Sequence, residues 1–225
     1  MERAQKITAL AAAALAAGMV TTSASAASAG DWIVRAGPTL VAPNDDSSDP
    51  SGPLEGLNGA VSVDNDTQLG LTVGYFVTNN IAVELLAATP FSHDISGEDG
   101  IDGLDVGSTK HLPPTLSVQY HFDTGTAFRP YAGVGLNYTM FFDEDVDSDT
   151  TAATGYDDLS LDDSFGLAGQ VGFDYELGNN WLLNADIRYI DIDTEATLSG
   201  GPNPKSTIDV DIDPWVYTIA VGYRF

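Results

Sequence analysis

Cysteine is absent from all 225 residues, so neither a disulfide framework nor thiol chemistry is available. Positive charge is scarce: eight Lys and Arg stand against 33 Asp and Glu, a formal net charge of −25. Such a balance repels phosphate backbones and argues against nucleic acid as a partner. Beyond residue 20 the chain has no apolar run long enough for a membrane-spanning helix. It also lacks the composition of a disordered acidic chain, since nine Phe, nine Tyr, three Trp and many β-branched residues offer ample surface to bury.

The first residues read as an export signal. Arg3 and Lys6 precede the apolar run Ile7 to Val20, and Ala24-Ser25-Ala26 is a small-residue cleavage site, with Ala27-Ser28-Ala29 a second candidate. Residues 1–26 are therefore expected to be a signal peptide cleaved near Ala26 or Ala29, and 27–225 a single domain.

The last residues carry the strongest fold signal. Phe225, Tyr223, Val221, Ile219 and Tyr217 share one apolar face, while Arg224, Gly222, Ala220 and Thr218 share a small, polar one. Period-two alternation of this kind, with aromatics at its ends, is how a strand looks when one face meets lipid and the other a polar lumen. Comparable patterns predict strands near 31–42, 66–78, 80–91, 111–123, 129–143, 160–177, 181–197 and 207–225. Compact Asn/Gly turns at 78–80, 123–126 and 178–180 alternate with long connections near 43–65, 92–110, 144–159 and 198–206. With no segment long and apolar enough for a helical span, only a closed barrel can satisfy every backbone group in lipid. The expected fold is all-β: an eight-stranded antiparallel transmembrane barrel with short periplasmic turns and long acidic extracellular loops.

Charge placement agrees. After residue 26 the chain has 32 acids and six bases, and 26 of those acids fall in or beside the long connections. A bilayer requires such a charge-poor band. Where charges do occur within strands, alternation turns them inward. Arg35, Arg188 and Arg224 are expected to meet Glu84, Asp174, Glu176 and Asp186 in a mixed-charge lumen floor near the periplasmic end, with His121 beside them. Leu86 and Ile190 point inward at greater height, so an apolar pocket is expected above that floor. Phe141 alternates inward and is a candidate pocket residue, whereas Phe142 faces the lipid girdle.

Several ordered motifs resemble the OmpW family of outer-membrane proteins. They are His111-Leu112-Pro113-Pro114-Thr115-Leu116 running on to Gln119-Tyr120-His121-Phe122, Phe128-Arg129-Pro130-Tyr131-Ala132-Gly133-Val134-Gly135, Val83-Glu84-Leu85-Leu86-Ala87-Ala88-Thr89-Pro90-Phe91 and the Asp213-Pro214-Trp215 ending. The resemblance covers nearly the whole exported chain. It implies a narrow channel for small apolar molecules, obstructed towards the periplasm, with lateral exit through the barrel wall, as in alkane-uptake relatives. Pro90, Pro113 and Pro114, which cannot donate to a ladder, are the candidates for that opening. One position departs from the resemblance: the strand-seven residue expected to face Leu86 is bulky and aromatic in the best-known relative, and here it is Arg188. Arg188 is therefore assigned to the top of the charged floor, at the boundary of the channel.

No catalytic constellation, metal site or cofactor motif emerges. The pairs Asp174/Glu176 and Asp191/Asp193 lack an accompanying nucleophile, and His93, His111 and His121 are too scattered to read as metal ligands. The run Asp143 to Asp149 lacks the Gly and terminal Glu of an EF-hand loop. The expected partners are outer-membrane lipid and lipopolysaccharide, small hydrophobic solutes, and the outer-membrane assembly machinery acting on Phe225. The alternative is a structural or adhesive barrel, or a small cation-preferring channel, whose acidic loops bind divalent cations or a surface partner.

Overall fold

The computed structural model describes residues 27–225 apart from 49, 55–59, 99–104 and 202. The expected signal peptide lies outside the described residues. The described chain forms strands β1 (Trp32–Ala42), β2 (Asp46–Ser47), β3 (Ala60–Val63), β4 (Asp66–Phe76), β5 (Ile81–Ala88), β6 (Phe91–Glu98), β7 (Asp105–Leu112), β8 (Thr115–His121) and β9 (Phe128–Val146). A short helix α1 (Ser148–Thr154) follows. The remaining strands are β10 (Asp158–Leu161), β11 (Ser164–Gly178), β12 (Trp181–Ile190), β13 (Asp193–Ser199), β14 (Ser206–Asp211) and β15 (Trp215–Arg224).

Eight of these strands close a ring in the order β1-β4-β5-β8-β9-β11-β12-β15 and back to β1, every neighbour antiparallel. Closure is made by the first and last strands, with Ile33 opposite Arg224 and Ala42 opposite Trp215. The Phe225 amide donates to the Trp32 carbonyl at 2.8 Å. Outward positions are apolar and open: Leu116, Val134, Phe165 and Ile219 are all largely exposed. Aromatics mark the edges of this belt. Near the turn end, Trp32 packs on Tyr75 and Trp181 on Tyr223, with centroids 5.0 and 5.1 Å apart; at the other edge, Tyr189 packs on Trp215 at 5.4 Å. From Phe128 to Tyr138, β9 rises about 33 Å, or about 25 Å after a tilt of ~40°, which matches the apolar band of an outer-membrane barrel.

The long connections are not simply loops. Beyond the belt, seven of the eight staves break and resume: β5 passes to β6 across Thr89-Pro90, β7 to β8 across Pro113-Pro114, and β14 to β15 across 212–214. Only β9 runs through without a break. Its upper half pairs with β7, which leads on to β6 and β3, while β10, β13, β14 and β2 form a second sheet. Outward residues of the upper tier are polar, including Ser92, Asp94 and Lys110. This tier therefore stands in water above the lipid. The expected loop 144–159 holds α1, capped by the Asp147 carboxylate, which accepts from the Asp149 amide at 2.9 Å, and ended by left-handed Gly155.

Small residues make room for large ones in the narrow lumen. A Cβ on Gly172 would stand 2.5 Å from the Tyr131 hydroxyl and 2.6 Å from the Ala185 carbonyl. Gly172→Ala should lower stability by about 1–3 kcal/mol, read as an earlier urea midpoint for unfolding from vesicles.

Candidate functional site: a charged floor, an apolar cluster and an upper cavity

The lumen floor is a chain of buried ion pairs. Arg35 is the hub: its Nη1 donates to Glu84 at 2.6 Å, and its Nε and Nη2 donate to the two oxygens of Asp174 at 2.9 and 2.7 Å. Arg188 Nη2 reaches the other Glu84 oxygen at 3.0 Å and lies 3.6 Å from Asp186. Arg224 donates to Glu176 at 2.8 Å. The structure thus brings Arg35, Glu84, Asp174, Asp186 and Arg188 into one cluster, with Glu176 and Arg224 as a second pair. His121 lies between Phe76 and Tyr131, tilted to both rings, with centroids 4.9 and 4.8 Å away, and bonds Gln119 at 2.9 Å.

Four further members complete the network, and alternation along β12 and β11 already turns two of them, Asn184 and Gln170, inward. Tyr131 donates to Asp186 at 3.0 Å and lies under the Arg35 guanidinium at 5.5 Å. Asn184 donates to Asp174 at 2.9 Å, Gln170 accepts from Arg188 Nε at 2.9 Å, and Arg129 lies 3.9 Å from Glu176. Tyr131 and Arg129 carry a signal too: stepping back by twos from inward Phe141 reaches both. Leu86, Arg188 and Thr72 line a chamber of about 10 Å³ within this floor, room for roughly one water.

Above the floor an apolar cluster crosses the lumen. Val41, Phe91, Ala168, Ile190, Ile192 and Val216 belong to it, and Ile190 is fully buried. Phe141, Val210 and Ile212 join this cluster and also line a cavity of about 50 Å³ in the upper tier. The rest of that wall is mainly aliphatic and includes Ile95, Val106 and Leu198. Of the residues assigned to the pocket from sequence, Phe141 lines this cavity, Ile190 lies in the cluster adjoining it, and Leu86 and Arg188 lie at the chamber in the floor.

Two histidines also line the cavity. Their separation in sequence concealed this: the rings of His93 and His111 stack at 4.9 Å, and Phe91 extends the stack at 5.4 Å from His111. Register explains it, because Phe91 lies opposite His111 and His93 opposite Thr109. Burial pushes the His111 imidazole down to about 3, with His93 adding to the shift. Burial also lowers His93, despite its bond to the Asp64 carbonyl. Both rings are neutral near pH 7.

The ladder breaks at the height of this cavity's base. The last β5–β8 pair is Leu86 with Thr115, and the first β6–β7 pair is Phe91 with His111. Between them, residues 87–90 face 112–114 without ladder pairing. Pro90 is exposed and Pro113 buried. The Pro114 carbonyl still accepts from the Tyr138 amide at 3.1 Å, so the gap lies between the β5/β6 and β7/β8 staves. Among the described residues, the one trio of carboxylates with oxygens within 4.8 Å is Asp191, Asp193 and Asp213. The 143–149 run forms no such trio; there Asp143 pairs with Lys110 at 3.1 Å and Asp147 caps α1.

A closed eight-strand barrel with a lipid-facing apolar belt and a filled lumen is an outer-membrane β-barrel. The family model described as "OmpW family" matches residues 28–225. The chain is 54% identical over 200 residues to outer membrane protein W of Vibrio cholerae serotype O1, covering 87% of this chain and 89% of that one. It is 38% identical over 169 residues to outer membrane protein AlkL of Ectopseudomonas oleovorans, covering 75% and 70%. Among solved structures, OprG of Pseudomonas aeruginosa superposes with a TM-score of 0.82 at 45% identity, over 88% of this chain and 97% of that one. The chain belongs to the OmpW family, and its place is the outer membrane of a Gram-negative bacterium.

Proposed function

We propose that this barrel admits small apolar molecules from outside the cell and releases them sideways into the outer membrane, passively and without a cofactor. The observation that carries this reading is the position of the apolar cavity. It stands in the upper tier, above a closed ionic floor and beside the ladder break at Pro90, Pro113 and Pro114. Solute crossing the polar lipopolysaccharide layer would find a dry wall of Val, Ile and Leu, where burial of apolar surface is favourable by about 25 cal/mol per Å². The floor opposes axial passage, because its guanidinium and carboxylate groups are committed to one another. The same floor disfavours the ion-channel reading, and the cavity disfavours a purely structural barrel. Phe225, exposed at the closing strand, remains the proposed recognition point for the assembly machinery.

The test is entry of toluene into proteoliposomes, measured against an unrelated small barrel. The wild-type chain should speed entry, and Ala196→Phe, which sets a phenyl group in the cavity wall, should reduce it to the control rate. Leu86→Asp separates the routes. A sideways path leaves entry unchanged in this variant, whereas a path through the lumen would be blocked. Wild-type entry no faster than the control would overturn the proposal.

A further inference from the structure

The cavity wall is apolar apart from Thr109, whose hydroxyl donates to the Lys110 carbonyl at 3.4 Å, and two histidines. His93 and His111 are 2% and 5% exposed. The Asp64 carbonyl can only accept, so the His93 Nδ1 that bonds it must carry the proton. In the neutral ring, Nε2 is then a bare acceptor, and it has no partner. The His111 ring makes no hydrogen bond among the described residues, and its Nε2 is likewise buried and unpartnered. A neutral imidazole offers one donor and one acceptor. An apolar wall that serves only hydrocarbon gains nothing from two desolvated imidazoles, because leaving such groups unpaired costs about 1–3 kcal/mol each.

We propose that the stacked His93–His111 pair is a hydrogen-bonding station, and that the preferred guest is a small uncharged molecule with an apolar body and one hydroxyl, such as a phenol or short alcohol. This rests on the uptake reading above and narrows its substrate class. A hydroxyl suits the pair because it donates and accepts at once. Its proton goes to His93 Nε2, and its oxygen takes the N–H of His111. A carboxylate would meet only one donor, and it would first have to pass the acidic rim. An ammonium group would be buried in an aliphatic wall without an anion. The apolar body rests against Phe141 and the aliphatic side chains.

The test compares p-cresol with toluene, which differ by the hydroxyl. The full chain, labelled with ¹⁵N in its histidine rings, is placed in lipid nanodiscs and titrated with each. p-Cresol should shift the ring nitrogens of His93 and His111, and toluene should leave them in place. In His111→Phe the aromatic stack survives but the donor is lost. Followed at His93, p-cresol affinity should fall about tenfold, and the preference for p-cresol over toluene in entry into proteoliposomes should fall with it. His111→Gln, which keeps a donor and an acceptor, should retain the preference for p-cresol. Heat-resistant compact migration on a gel confirms that each variant is folded. If toluene enters but p-cresol moves neither histidine, the station is refuted and the apolar route stands. Loss of preference in both folded variants would trace the effect to ring packing, which also refutes the station. If neither solute enters faster than through a control barrel, the uptake reading falls and this inference with it.

Discussion

Replacing Arg35 with methionine should lower the free energy of unfolding by about 3–5 kcal/mol, the largest loss expected from any single lumen substitution. Arg35 is 2% exposed and holds two carboxylates at once, Glu84 at 2.6 Å and Asp174 at 2.7 Å. Methionine fills similar space but leaves both acids in the lumen. Glu84 then keeps only Arg188, and Asp174 keeps Asn184. Glu84, Asp174 and Asp186 then share the single cation Arg188 in a place that water reaches poorly, with Asp174 out of the pairing, and that excess of negative charge sets the cost. Lysine should lose an intermediate amount, since one ammonium cannot reproduce the two-oxygen fork on Asp174 while also reaching Glu84. Adding Asp174→Asn to Arg35→Met should recover most of the loss by removing the orphaned charge. Urea unfolding from lipid vesicles measures all four proteins. A methionine variant within ~1 kcal/mol of wild type would show that the floor is no more than a surface-like set of pairs.

Much of this floor could be read by counting in twos. On β12 the alternation of Trp181, Leu183 and Ile187 against Asn184, Asp186 and Arg188 fixes which side chains turn inward, because lipid tolerates only one set outside. Turn positions then supply the height of each charge, which sets Glu84 and Asp174 on one level and Arg188 just above them. The partners within that level were less accessible: which oxygen a guanidinium takes depends on tilt and register across neighbouring strands. The upper tier was harder still. On β6, Ser92, Asp94 and Ser96 face outward, so the segment alternates but lacks a lipid-facing set and resembles loop. Helix α1, with the sequence Ser-Asp-Thr-Thr-Ala-Ala-Thr, has no apolar stripe to announce it. His93 and His111 meet only because β6 and β7 pair with Phe91 opposite His111, a register that local sequence does not encode. Family motifs pointed to the prolines, and the structure adds that Pro90 and Pro113 stand at the same break.

Acidification from pH 7 to pH 4 should loosen the upper tier of the wild-type chain by about 3 kcal/mol relative to His111→Phe. The cause is the buried neutral imidazole of His111, whose ordinary value of 6.5 is pushed down to about 3 by burial and by His93. When the tier opens, the ring regains its ordinary affinity for protons. Below about pH 6.5 the open state therefore binds a proton that the closed state refuses, and closure weakens as pH falls. The loss grows until the pH nears the folded value and then levels off, so this stabilisation is complete above the unfolded value. His93, also lowered by burial, acts in the same direction. The acidic rim acts in the opposite direction, because protonating its carboxylates relieves mutual repulsion. That contribution is common to both proteins and cancels in the comparison. Hydrogen exchange of amides in 91–98 and 105–112, corrected for intrinsic rates, reads the opening directly. Wild type should lose protection between pH 6.5 and pH 4 faster than the phenylalanine variant, while the barrel strands below show no difference. Parallel curves for the two proteins would mean that His111 is already protonated in the closed tier, and the neutral stacked pair would have to be abandoned.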